Sequence, residues 1–334
     1  MTNRPEEYTF ADAYIGSFVK NLMTKQDLLR AAQAKDLLTI EAMLREFGYG
    51  EAKEIHEGDI ETFIRREQNK LFDLIYDTLP ERKELSLLLL PFDYHNLKVC
   101  LKAEFLGLTP DDNYLVSTGD IDRHKIVAMV KERNYIHMST HMKAAMESAI
   151  DLFGRGNDPQ EIDLVMDKAC YKEMSEKARE SGVDFLAGLV ELEIDLLNIK
   201  SFVRLKQMKM PWTFFQKIFL EGGRIAESLF IGAYEEPYGQ FAEKLAPYGL
   251  KDAVLEGTNK LQESGEFWLL EKLTADALME YNKKAKYLSF GIEPIAGYWT
   301  AKEVEIDNLR IILLGKKIGL SPEKIGERLR ESYV

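Results

Sequence analysis

The chain has 334 residues, 46% of them hydrophobic and only 10 of them proline, which suits a substantial buried core and not a disordered chain. A formal charge of −12 argues against a nucleic-acid partner, because phosphate binding draws on clustered Lys and Arg. Two cysteines, Cys100 and Cys170, cannot make a disulfide framework, and the opening MTNRPEEYTF lacks an apolar signal core, so the expected compartment is reduced and cytoplasmic.

In chain order the dominant period is helical. Apolar stripes at three- and four-residue steps predict helices within Lys25–Phe47, Leu71–Leu79, His124–Ile150, Glu161–Arg179, Glu191–Met208 and Phe267–Lys286. Glycine and proline mark the breaks, at Phe47–Gly50, Gly154–Pro159, Glu221–Gly223 and Phe290–Pro294. The longest apolar run, LSLLLLPF from Leu85, falls far short of the roughly 20 residues a membrane helix needs. Work at a membrane would go through another protein or the surface. Alternating strand patterns are scarce, and the expected class is all-α.

One segment occurs three times. Asp93-Tyr-His-Asn96-Leu-Lys98, Asp195-Leu-Leu-Asn198-Ile-Lys200 and Glu305-Ile-Asp-Asn308-Leu-Arg310 share an acid three residues before the asparagine and a base two residues after it. Apolar pairs follow at the fourth and fifth positions: Cys100/Leu101, Phe202/Val203 and Ile312/Leu313. The asparagines stand 102 and 110 residues apart, a spacing of small-domain size, and the expected domains are 1–117, 118–212 and 213–334. Gly107-Leu-Thr-Pro-Asp111 and Gly319-Leu-Ser-Pro-Glu323 follow the first and third copies at one offset. Each reads as a glycine helix stop, then an N-cap with Pro in the first helical position. The second copy reads Lys209-Met-Pro-Trp212 there, so its exit is expected to differ.

Asparagine disfavours helix interiors because its amide competes for backbone hydrogen bonds. Its recurrence beside an apolar stripe predicts a partly buried amide with a fixed partner on a neighbouring helix, and the acid three residues earlier shares that edge. Bases at the second and sixth positions, Lys98/Lys102, Lys200/Arg204 and Arg310 alone, form a stripe on another face. That stripe reads either as solvated charges and local salt bridges or as a partner-facing surface through Lys102 and Arg204. Trp212 reads as core or as partner contact.

Catalytic and cofactor signals are weak. No Gly-x-x-x-x-Gly-Lys-Ser/Thr loop occurs, and Gly154-Arg-Gly156 and Gly222-Gly223 read as turns. His137 and His141 have helical metal-pair spacing but no accompanying Glu or third ligand, so no metal or cofactor is expected. Glu191, Glu193 and Asp195 read as solvated or structural carboxylates more readily than as an acid–base pair.

The three Asn-hydrophobic-basic segments resemble the C-subunit family of bacterial and archaeal V-type ATPases, equivalent to the d-type subunit of eukaryotic V-ATPases. So do Tyr14–Lys20, Met23-Thr24, Asp27-Leu-Leu and Phe47–Gly50 near the start, and Ile311–Leu320 and Ile325–Arg330 near the end. Lys20-Asn21-Leu22 departs from that family's arginine-rich turn. The resemblance implies a funnel of three similar helical domains about a pseudo-threefold axis. It also implies a non-catalytic central-stalk component between the shaft subunits (D and F type) and the proteolipid ring, peripheral on the membrane. An unrelated helical-repeat scaffold is the alternative, although its repeats ordinarily run about 34–47 residues. A helical enzyme with a buried carboxylate site is a third reading.

Overall fold

The computed structural model describes residues 5–79, 86–156 and 158–334. Readings that touch residues 1–4, Leu85 or Asn157 lie outside them. The protein is all-α, with seventeen α-helices and no strand among the described residues.

The chain divides into two compact units. The first holds the described residues of 82–235: α6 (Ser86–Phe105), α7 (Arg123–Glu132), α8 (Thr140–Gly156), α9 (Pro159–Ser181), α10 (Asp184–Gln207), α11 (Trp212–Ile218) and α12 (Glu227–Gly232). The second joins the described residues of 2–81 with residues 236–334. Its first part supplies α1 (Thr9–Val19), α2 (Lys25–Gln33), α3 (Leu37–Glu46), α4 (Lys53–Glu57) and α5 (Ile60–Thr78). Its last part supplies α13 (Tyr238–Lys244), α14 (Lys251–Ser264), α15 (Trp268–Asn282), α16 (Ile292–Lys317) and α17 (Pro322–Arg328).

Two of the expected stripes are each two helices. Lys25–Phe47 breaks at Ala34-Lys35-Asp36, because the Asp36 carboxylate accepts from the Thr39 N–H and starts α3 afresh. His124–Ile150 breaks where Arg133 turns left-handed (φ 56°) and ends α7. A shared apolar period carries across both breaks, which is why periodicity alone joins them.

Each repeated segment lies within a long helix: the first on α6, the second on α10, the third on α16. In the first unit α6 packs on α7 and α9, and α10 packs on α9 and α11. Phe202 of α10 sits among the rings of Phe215, Phe230 and Tyr234, 5.4–5.6 Å between centroids. In the second unit, Ile306, Leu309, Ile312 and Leu313 of α16 share one core with Met23, Leu28, Ile40, Leu44 and Phe63 of the N-terminal helices. Burial of such a core supplies about 25 cal/mol per Å² of apolar surface removed from water.

The three long helices end alike, and here the second copy corrects the expectation that its exit differs. Gly107, Lys209 and Gly319 are all left-handed, at φ 67°, 55° and 75°. The residue after each donates to the carbonyl five back: Leu108 to Ala103 (2.9 Å), Met210 to Leu205 (3.0 Å) and Leu320 to Gly315 (2.9 Å). Lys209 therefore holds a glycine conformation. Lys209→Gly is expected to raise stability by up to about 1 kcal/mol, since relief of left-handed strain outweighs added chain entropy; a thermal melt checks it.

The helix expected after Gly319 forms, with Ser321 capping α17 and Pro322 first in it. The one expected after Gly107 does not. Asp111 instead accepts from the Asn113 N–H at 2.9 Å, and the His95 ring meets the Tyr114 carbonyl at 2.9 Å. This first connection has two residues fewer between its asparagine and the backbone that asparagine grips, 20 against 22.

Candidate functional site

The repeated polar residues are buried. Asn96, Asn198 and Asn308 are at most 1% exposed, as are Asp93 and Asp195, while Glu305 is 4% exposed. Their partner is not a neighbouring helix. Each asparagine amide pairs with both backbone groups of one residue in the irregular chain beyond its helix. Asn96 donates to the Val116 carbonyl (3.0 Å) and accepts from the Val116 N–H (2.9 Å). Asn198 does the same to Leu220 at 2.8 and 2.9 Å, and Asn308 to Arg330 at 3.2 and 2.8 Å. The side-chain amide thus stands in for the strand partner that this buried backbone lacks.

One turn back, the acid grips a second piece of backbone. Asp93 accepts from the N–H groups of Asp120 (3.2 Å) and Ile121 (3.1 Å). Asp195 accepts from the Ile225 N–H (3.0 Å) and the Arg224 guanidinium (3.2 Å). Glu305 accepts from the Met23 N–H, from the Tyr49 hydroxyl (2.5 Å) and from the Lys302 ammonium (2.6 Å). Glycine makes room for the first two: a Cβ on Gly119 would lie 2.5 Å from Asp93 Oδ1, and one on Gly223 would overlap Asp195 Oδ1.

Burial pushes the Asp93 carboxyl up to about 7, against the N–H groups of Ile121 and Asp120, which favour the ionised form. Burial also raises Asp195, opposed by the Ile225 N–H and Arg224. Between pH 4 and 7 the native state therefore holds more of the Asp93 proton than the unfolded chain does. Its contribution to stability is present at the acid end and falls as pH rises, by up to about 1.4 kcal/mol per pH unit. Asp93→Asn is expected to flatten that part of the stability–pH curve, which denaturation at pH 5, 6 and 7 measures.

The bases of the stripe make contacts within the protein. Lys98 pairs with Asp167 and Lys102 with Asp163 of α9, both at 2.7 Å. Arg310 pairs with Asp307 (3.2 Å) and Glu61 (3.4 Å). Lys200 lies where its charge favours ionised Glu193. Arg204 is exposed on α10, and Trp212, 41% exposed, opens α11. His141 pairs with Glu176 at 2.9 Å and His137 is exposed.

A third contact, unread in the sequence, lies eight residues beyond each asparagine. Lys206 donates to the carbonyls of Ala233 and Tyr234 just past α12, and Lys316 to that of Ala34 just past α2 (2.7 Å). Here a cation meets the negative end of a helix. In the first copy the polarity is swapped, with Glu104 meeting the side chain of Arg133 at the end of α7 (2.6 Å). The changed residue type hides the equivalence from sequence.

With this geometry, comparison with known proteins is decisive. The family model described as ATP synthase (C/AC39) subunit matches residues 11–328. The chain belongs to the ATP synthase (C/AC39) subunit family. Among curated members it is similar to the C subunit of the V-type sodium ATPase of Enterococcus hirae, 24% identical over 279 residues, 82% of this chain and 83% of that one. It is similar also to the C subunit of the A-type ATP synthase of Pyrococcus abyssi, 22% identical over 341 residues, 97% and 90% of the two chains. A third relative, the corresponding A-type ATP synthase protein of Methanocaldococcus jannaschii, is 22% identical over 279 residues, 76% and 67%. Among the described residues of this C/AC39 member no helix is long and apolar enough to cross a membrane.

Proposed function

We propose that the protein is the non-catalytic central-stalk component of a rotary V/A-type ATPase. It joins the shaft subunits (D and F type) to the proteolipid ring, and so couples ATP hydrolysis or synthesis to proton or sodium movement. The family match over residues 11–328 carries the reading. In it, α6, α10 and α16 each contribute one acid–asparagine helix, and the protein stays peripheral on the cytoplasmic side through the complex.

A part that transmits torque has to resist deformation, and the buried clamps serve that end. Each ties a long helix to two stretches of irregular backbone with hydrogen bonds shielded from water, where they are stronger and costly to break. The reading as an enzyme with a buried carboxylate site rested on these same acids. Their oxygens are already engaged by backbone N–H groups and by Arg224, Tyr49 and Lys302.

Tagged protein drawn from detergent-solubilised membranes is expected to bring shaft subunits and proteolipid with it. Recovery of neither, with the ATPase assembled in the same membranes, would overturn the proposal.

A further inference from the structure

The first two clamps are local in sequence. The residue held by asparagine precedes the residue held by acid by five positions, Val116 to Ile121 and Leu220 to Ile225. The next residue then begins a helix: Asp122 caps α7 and Ala226 precedes α12. In the third copy asparagine holds Arg330, but acid holds Met23, from the other end of the chain. Thr24 follows and caps α2.

We infer that the segment from Met23 through α5 is the other half of the third acid–asparagine clamp, latched onto α16 across the chain. An incidental meeting of the two ends would have no reason to reproduce the placement of the other copies, and this one does so three times over. Met23 N–H takes the place of Ile121 and Ile225 N–H on the acid. Lys316 holds the end of α2 as Lys206 holds the end of α12. α16 packs on α2 and α5 as α6 packs on α7 and α9. The tails also adjoin: Ser332 and Tyr333 line one small cavity with Leu22 and Met23, and Glu331 pairs with Lys25 at 3.2 Å.

The latch rests on Glu305 and the C-terminal tail on Asn308, while α17 also packs on α2. Glu305→Ala in the full chain, followed by hydrogen exchange and mass spectrometry, is expected to speed exchange at least tenfold across residues 23–46 and by less across residues 320–334. Asp195→Ala is expected to do the equivalent to residues 225–232. Faster exchange of 320–334 with 23–46 unchanged would overturn the inference. A second variant covers the case in which Glu305→Ala fails to fold: Glu305→Gln, which keeps one acceptor oxygen but not the charge that Met23, Tyr49 and Lys302 share. It is expected to speed exchange across residues 23–46 more than across 320–334, and the reverse order would also overturn the inference.

Discussion

Replacing Asn198 by leucine is expected to cost about 3 kcal/mol of folding stability, since it strands two buried backbone groups together. The Leu220 N–H and C=O bond the amide at 2.9 and 2.8 Å in a place where Leu220 itself is buried. Each unsatisfied buried group costs about 1–3 kcal/mol, and leucine, branched at the same carbon, supplies neither partner. Asn198→Asp separates amide pairing from simple packing. An ionised aspartate still accepts from the N–H but turns its other oxygen toward the Leu220 carbonyl. It should be at least as destabilising as leucine near neutrality and recover part of the loss in acid, when the protonated carboxyl donates. Urea unfolding at pH 5 and 7.5 distinguishes the pair. Leucine at wild-type stability would remove the clamp from the account of how the first unit holds together.

The second large effect is expected at Gly223. An added methyl meets Asp195 Oδ1 and lies 3.2 Å from Ile194 Cγ2, so Gly223→Ala must move either the loop or the carboxylate that bonds Ile225 and Arg224. Overpacking of this kind costs about 1–3 kcal/mol, and loosened hydrogen bonds to a buried carboxylate add to it. Gly232, in α12 of the same unit, is the control. A Cβ there meets nothing within 4 Å, and Gly232→Ala is expected to be neutral or stabilising by up to about 1 kcal/mol. Melting curves in which both substitutions behave alike would show that the close approach to Asp195 plays no part in stability.

Much of this molecule is legible in its sequence, for a definite reason. Helical stripes and the recurring acid, asparagine and apolar pair are side-chain patterns, and they mark the long helices and the buried polar positions. The partners of those residues are backbone groups. Val116, Leu220 and Arg330 have no side-chain type common to all three, because the asparagine uses only their N–H and C=O, so nothing in the letters marks them. Gly223 is visible as a turn residue, whereas its closeness to Asp195 belongs to the fold. Lys209 shows a further limit: a left-handed helix stop without glycine looks like a different ending while following the same path. The role of Met23 is hidden most deeply, since it completes a motif lying 282 residues further along the chain.

Ion transport driven by ATP, in membranes assembled without this protein and then supplied with it, tests coupling most directly. Uptake should be absent before addition and return in proportion to the protein bound, with ATP hydrolysis by the detached head continuing throughout. Uptake at full rate in its absence would contradict a role in carrying rotation from shaft to ring.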